Sequence, residues 1–315
     1  MNRREFHRNL VGATLGLGVP GLGISGRPQS PEPPATAEAP FQISIMLWTV
    51  FRELRFEERL EKVAEAGYRN VELVGEFEKW SESDWRSAVG KQRELGITFD
   101  TTGGLQHANE KVGLADPSAR EAMLEDLRNI LPACERLGCR RIILLSGNIV
   151  SGLSHEQQYQ SCIEGLKRAA EIIEGKDFEI LVENIDPIED SRYFLTSVAE
   201  GFEIIRAVDN PQVRMLYDFY HEQIAAGNLI EKLEKNIDLV GVCHIADVPG
   251  RHEPGTGEID YINIYKKLAS LRYDRYVAME YLPTYDPVES LRTSREQALR
   301  AVTCQQALWT PRPAH

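Results

Sequence analysis

Cysteine is scarce and unpatterned in this 315-residue chain. The five present are Cys134, Cys139, Cys162, Cys243 and Cys304, and no two form a CxxC pair. That excludes a disulfide framework and a zinc knuckle. It leaves most of them as small buried apolar side chains, with one bridge left open. Basic residues are also outnumbered: 36 Lys and Arg face 48 Asp and Glu, for a net charge of -12. A duplex-binding protein carries a basic face, so nucleic acid is excluded as a main partner. No GxGxxG follows the first strand-like run, which counts against a dinucleotide-binding open sheet. What remains is 42% hydrophobic and 27% charged, the composition of a soluble globular protein with a sizeable core.

The first forty residues are a different kind of sequence. They open MNRREFHRN and continue LVGATLGLGVPGLGISG, a basic head before a short glycine-rich apolar run. That run is too short and too weakly apolar to span a bilayer. Arg3 and Arg4, followed by Glu5 and Phe6, resemble a bacterial twin-arginine export signal. Two A-x-A sites follow, and cleavage after Ala37 is favoured because cleavage after Ala39 would leave Pro40 first. The segment RPQSPEPPATAEAP is proline-rich and reads as a linker. The expectation is a signal and linker over residues 1–40, a folded domain over 41–310, no membrane span in the mature form, and a periplasmic location.

From Phe41 onward short apolar runs alternate with longer amphipathic stretches. The strand-like runs are FQISIMLW, RNVELVG, GITFDTT, CRRIILLS, FEILVEN, VRMLYD, LVGVCHIAD and YVAMEY. Stretches such as FEERLEKVAEAG and SDWRSAVGKQRELG have helical period, and several stop at a glycine: Gly67, Gly96 and Gly138. Glycine tolerates the left-handed conformation that ends a helix. Eight strands and about eight helices in this length predict a single-domain (β/α)8 TIM barrel of the α/β class. In such barrels the chemistry sits at the carboxyl ends of the strands.

Four successive strand-like runs end on one candidate metal ligand each. The fifth ends at Glu183, the sixth at Asp218, the seventh presents His244 and the eighth Glu280. Three carboxylates converging in a barrel mouth would repel one another, and a divalent cation removes that repulsion and offsets their desolvation. Three carboxylates with one imidazole suit Mn²⁺ or Mg²⁺ first, and Co²⁺ or Zn²⁺ less well. Trp48 ends the first run and is expected to wall the pocket; Glu72 in the second is a candidate partner of the ligands. His107 lies in a glycine-rich stretch after the third run, expected to cover the site, while His155 and His252 have no assigned partner.

With these residues in view, the chain after Phe41 resembles the xylose-isomerase-like barrels, which include ketose 3-epimerases and hydroxypyruvate isomerases. The DFYH segment matches that family's Asp-x-x-His, and VPGRHEPGTGEIDY is similar to the loop after the seventh strand in the hydroxypyruvate isomerase branch. The resemblance implies that Glu183, Asp218, His244 and Glu280 hold one divalent metal, and that Glu183 and Glu280 are the catalytic bases. It implies that His221 and Arg251 bind substrate, with Glu258 and the glycines before it shaping the loop. At the seventh-strand position hydroxypyruvate isomerases often carry Gln, whereas His244 matches the 3-epimerases.

The implied activity is isomerisation of a small α-hydroxy carbonyl compound through an enediolate. The rivals are ketose 3-epimerisation and elimination from an oxidised sugar or glycoside. A non-catalytic sugar-binding barrel ranks lower. The endonuclease IV-like branch of the same fold needs a trinuclear zinc cluster, and seven histidines leave too few well placed for one. The expected partner is a small-molecule carbonyl or sugar substrate. Self-association into a homo-oligomer is left open.

Overall fold

The computed structural model describes residues 39–103 and 113–307, with side chains described to residue 303. The expected export signal, most of the expected linker, His107 and the side chain of Cys304 lie outside the described residues.

Eight parallel strands close on themselves in sequence order. They are β1 (Gln42–Met46), β2 (Asn70–Val74), β3 (Thr98–Gly103), β4 (Arg141–Leu145), β5 (Glu179–Glu183), β6 (Val213–Asp218), β7 (Val240–Ile245) and β8 (Tyr276–Met279). Closure is made by β1 against β8, with Ile43 opposite Val277 and Ile45 opposite Met279. Each predicted strand-like run contains one of these strands, and the fold is a TIM barrel.

Nine α-helices surround the strands among the described residues: α1 (Phe56–Glu65), α2 (Glu82–Leu95), α3 (Arg120–Leu137), α4 (His155–Ile173), α5 (Val198–Val208), α6 (Phe219–Ala225), α7 (Leu229–Asn236), α8 (Tyr261–Ser270) and α9 (Pro287–Ala307). Local chemistry sets many of their ends. Ser81 and Asp84 form a capping box at the start of α2, as do Ser154 and Gln157 at the start of α4. Gly96 and Gly138 take the left-handed conformation that stops α2 and α3. The stretch after β6 gives two helices, because Gly227 and Asn228 both adopt positive φ between α6 and α7. This is why the count exceeds the expected eight.

The strands are buried on both faces, and their two-residue period divides the side chains between two layers. One apolar cluster lies between the strands and the helices. A smaller one, with Ile143, Leu181, Leu216, Val242 and Ala278, fills the barrel interior. Two residues before Ile143, Leu181, Leu216 and Ala278 stand Arg141, Glu179, Arg214 and Tyr276. They close one end with ion pairs from Arg141 (3.0 Å) and Arg214 (2.9 Å) to Glu179, and with Arg141 stacked 4.6 Å from the Tyr276 ring. Two residues after Leu181, Leu216, Val242 and Ala278 stand Glu183, Asp218, His244 and Glu280. The alternation that buries the aliphatic layer therefore delivers these four groups to the interior at the carboxyl ends of four successive strands.

Candidate metal centre

The strand register brings the four groups together. Asp218 pairs with His244 across β6 and β7, His244 pairs with Ala278 across β7 and β8, and Glu280 N–H donates to the Ile245 carbonyl at 2.9 Å. One ligand atom from each of Glu183, Asp218, His244 and Glu280 lies within 4.8 Å of the others, and all four residues are buried. His244 Nδ1 is 2.7 Å from Glu280 Oε2, 3.6 Å from Glu183 Oε1 and 3.9 Å from Asp218 Oδ2.

Three of the four side chains are held from behind. The Asp218 carboxylate caps α6: its Oδ1 accepts from Tyr220 N (2.7 Å) and His221 N (3.2 Å), leaving Oδ2 turned to the cluster. Glu280 Oε1 accepts from Trp48 Nε1 at 2.8 Å. His244 Nε2 lies 2.9 Å from Glu72 Oε2.

The donor set fits a divalent ion. His244 Nδ1 and Glu280 Oε2 are buried and neither makes an aligned hydrogen bond, although they lie 2.7 Å apart and Arg251 Nη2 stands 2.8 Å from Oε2. Buried polar atoms are almost always satisfied, so a pair of orphans converging on one point marks a place for another group. Three carboxylates and an imidazole at that point match a moderately hard cation.

Arg251 supplies positive charge beside the cluster. Its Nη2 is 2.8 Å from Glu280 Oε2 and 3.7 Å from Asp218 Oδ2, while Nη1 donates to Glu189 Oε2 at 2.8 Å. Its guanidinium lies 5.5 Å from the Trp48 ring and 5.2 Å from the Tyr220 ring. His221 completes this side, with Nδ1 2.7 Å from Asp186 Oδ2 and Nε2 3.4 Å from Asp218 Oδ2.

These charges shift one another. Burial opposes a charge on His221, but the Asp218 carboxylate and the Asp186 hydrogen bond outweigh it and hold its pKa at about 9. Burial also opposes a charge on His244, and Glu72 and Glu280 overcome it. The two glutamates diverge. Burial raises Glu183 above the usual carboxylate range; at Glu280 burial is outweighed by Arg251 and His244, which hold it below that range.

The loop that carries Arg251 is built around one carboxylate. Asp247 Oδ1 accepts from Val248 N (2.9 Å) and Ile259 N (3.0 Å); Oδ2 accepts from Gly255 N (2.8 Å) and Gly257 N (2.9 Å). A Cβ on Gly257 would lie 2.0 Å from the Val248 carbonyl oxygen, so only glycine fits there. Arg251 itself has φ of 57°, a conformation that side chains other than glycine rarely take. It is pinned by its N–H to the Asp247 carbonyl (3.1 Å) and by Leu282 N–H to its own carbonyl (2.7 Å).

Thus Glu183, Asp218, His244, Glu280, His221, Arg251 and Trp48 stand together. Glu258 does not join them: it is exposed, and its Oε1 accepts from Gln223 at 3.1 Å. His155 pairs with Glu200 at 2.9 Å, and His252 Nδ1 lies 2.8 Å from the Leu282 carbonyl. Asp186, Glu189 and Asp247 had no role in the sequence reading. Asp186 and Asp247 follow the ends of β5 and β7, so the strand-end rule that found the ligands also points to them. Cys134, Cys139, Cys162 and Cys243 are free and buried.

A family model described as xylose isomerase-like TIM barrel matches residues 60–301. The chain belongs to this family. It is 29% identical over 245 residues to the 2-oxo-tetronate isomerase of Haemophilus influenzae, covering 78% of this chain and 95% of that protein. It is 28% identical over 251 residues to the hydroxypyruvate isomerase of Escherichia coli K12, covering 80% and 97%. Among solved structures, an AP endonuclease of family 2 from Brucella melitensis aligns with a TM-score of 0.73 at 26% identity, over 79% of this chain and 96% of that one. Its similar curated relatives are therefore isomerases. No helix among the described residues is long and apolar enough to cross a membrane.

Proposed function

We propose that this protein is a divalent-metal-dependent isomerase of small α-hydroxy carbonyl acids, of the kind that moves a carbonyl between adjacent carbons of hydroxypyruvate or 2-oxo-tetronate. The observation that carries the reading is the convergence of Glu183, Asp218, His244 and Glu280 on one point, with two of their atoms making no aligned hydrogen bond. The names of the relatives support the substrate class: both are 2-oxo acids with a hydroxyl on the adjacent carbon.

The reaction takes a proton from the hydroxyl-bearing carbon and returns one to the former carbonyl carbon. A bound divalent ion supplies Lewis-acid stabilisation of the negative charge that develops on the substrate oxygens. Glu183 and Glu280 are the two proton carriers, and their unequal proton affinities suit one to give and the other to take. Trp48 fixes Glu280 Oε1, which holds Oε2 toward the ligand cluster. Arg251, stacked between two rings and next to Glu280, grips the substrate carboxylate and offsets its charge. His221, protonated through its Asp186 hydrogen bond, donates to a substrate oxygen.

The test is ¹H NMR in D₂O with Mn²⁺- or Mg²⁺-loaded protein and a panel of hydroxypyruvate, 2-oxo-tetronate and a ketohexose. Exchange of the α-hydrogen and appearance of the isomer are expected on the 2-oxo acids and are lost on chelation. Glu280→Gln lowers the rate by at least ~10²-fold while the circular dichroism is retained. Absence of exchange on every substrate, or full activity after chelation, would overturn the reading. Exchange confined to the ketohexose would move it to 3-epimerisation, the reaction whose enzymes share His244.

A further inference from the structure

Glu72 lies in β2, yet it reaches His244 of β7 through the barrel interior. It is fully buried, with Oε2 2.9 Å from His244 Nε2, and its Oε1 has no hydrogen-bond partner. A buried carboxylate with a single partner is expensive. Such a pair gives little net stability, since apolar residues of similar volume often serve as well. What it can give is orientation. The two imidazole nitrogens are distinct, and a hydrogen bond at one fixes what the other does. An ionised carboxylate only accepts, so Nε2 carries a hydrogen whatever the state of Nδ1, and loss of the Nδ1 proton then leaves its lone pair for a cation. Nδ1 is the atom that points at Glu183, Asp218 and Glu280.

We propose that Glu72 is a positioning residue: by accepting from Nε2–H it holds the His244 ring in the tautomer and rotation that give Nδ1 to the divalent ion. The inference rests on the metal reading above. The conservative variant Glu72→Gln keeps the shape but replaces the charged acceptor with an amide, whose oxygen accepts more weakly and whose N–H₂ competes to donate to Nε2.

Mn²⁺ binding is followed by loss of the free-ion EPR signal in wild type, Glu72→Gln and Glu72→Asp. The dissociation constant rises ~10–100-fold in Glu72→Gln, the range for losing a partner of a ligating histidine, and Glu72→Asp recovers part of it. In Mg²⁺-loaded wild type, ¹⁵N NMR of His244 finds the hydrogen on Nε2; this readout needs no variant and decides the matter if Glu72→Gln fails to fold. Affinity in Glu72→Gln within twofold of wild type, or a hydrogen on Nδ1 in the loaded protein, would overturn the role of Glu72 alone. Wild type that binds no Mn²⁺ would instead overturn the metal reading, and this inference with it.

Discussion

Asp100 and Glu72 place two carboxyl groups inside the barrel, and Asp100 is answered by hydroxyls: Ser44 Oγ donates to it at 2.5 Å and Thr101 Oγ1 at 3.0 Å. Burial and the charge of Glu72 push its pKa up to about 7, against the pull of those two hydrogen bonds. Because the folded value lies above the unfolded one, the folded protein binds more protons between about pH 4 and pH 7. Stability from this group is therefore present below pH 4 and is lost as pH rises through about 7. The charge of Glu72 acts on Asp100, so a variant comparison isolates the effect best. Asp100→Asn mimics the protonated form, and the melting temperature of wild type minus that of Asp100→Asn should fall as pH is raised from about 5 to 8. A constant difference would show that Asp100 does not titrate in this window. The same scale shows what was legible in the sequence. Glu183, Asp218 and Glu280 each end an apolar run, and the two-residue period says which face such a residue joins. Glu258 sits in a loop with no period, where backbone bonds such as Glu258 N–H to the Val248 carbonyl (2.8 Å) set the side-chain direction.

Among the elements, the segment after β7 is irregular in dihedral terms but dense in hydrogen bonds. Asp247 satisfies four backbone N–H groups, a job that helices and strands do with their own carbonyls. Of the four, only Ile259 is a buried residue, and leaving a buried donor unpaired costs about 1–3 kcal/mol before relaxation. Asp247→Ala should lower the unfolding free energy by on the order of 3 kcal/mol in urea titration, and raise KM more than it lowers kcat, because Arg251 rides on this loop. An unchanged KM would mean that the loop keeps its shape without Asp247. Its glycines and prolines marked it in the sequence as a turn-rich segment, but not which residue organises it. The pairing of one acid with amides up to twelve positions away leaves no periodic trace. The break between α6 and α7 is similar: Gly227-Asn228 was visible as text, but only the positive φ at both residues makes two helices of one amphipathic stretch.

Taken whole, the barrel gathers four ionisable groups at one point inside a chain that already carries a net charge of -12. Occupation of that point couples to global stability, because a folded-state ligand adds RT ln(1 + [L]/Kd). Mn²⁺ at a hundredfold excess over its dissociation constant contributes ~2.7 kcal/mol, a rise of roughly 5–10 °C in the melting temperature of a domain of this size. Differential scanning calorimetry with Mn²⁺ and with EDTA checks this, and superimposable traces would argue against ion binding at the cluster. The closed sheet was readable from eight strand-like runs at regular spacing, since that alternation has few compact solutions.

The proposed ligands come from β5, β6, β7 and β8, while β1 and the segment after it, with β2, contribute one reinforcing side chain each, Trp48 and Glu72. The two halves of the barrel are thus unequally committed. The second half is constrained by the need to keep four ligand atoms in register. Among the described residues, the first half touches that chemistry through an indole and a carboxylate. Directed evolution of substrate range therefore has its widest latitude in the loops that follow β1 to β4, with Trp48 and Glu72 held fixed.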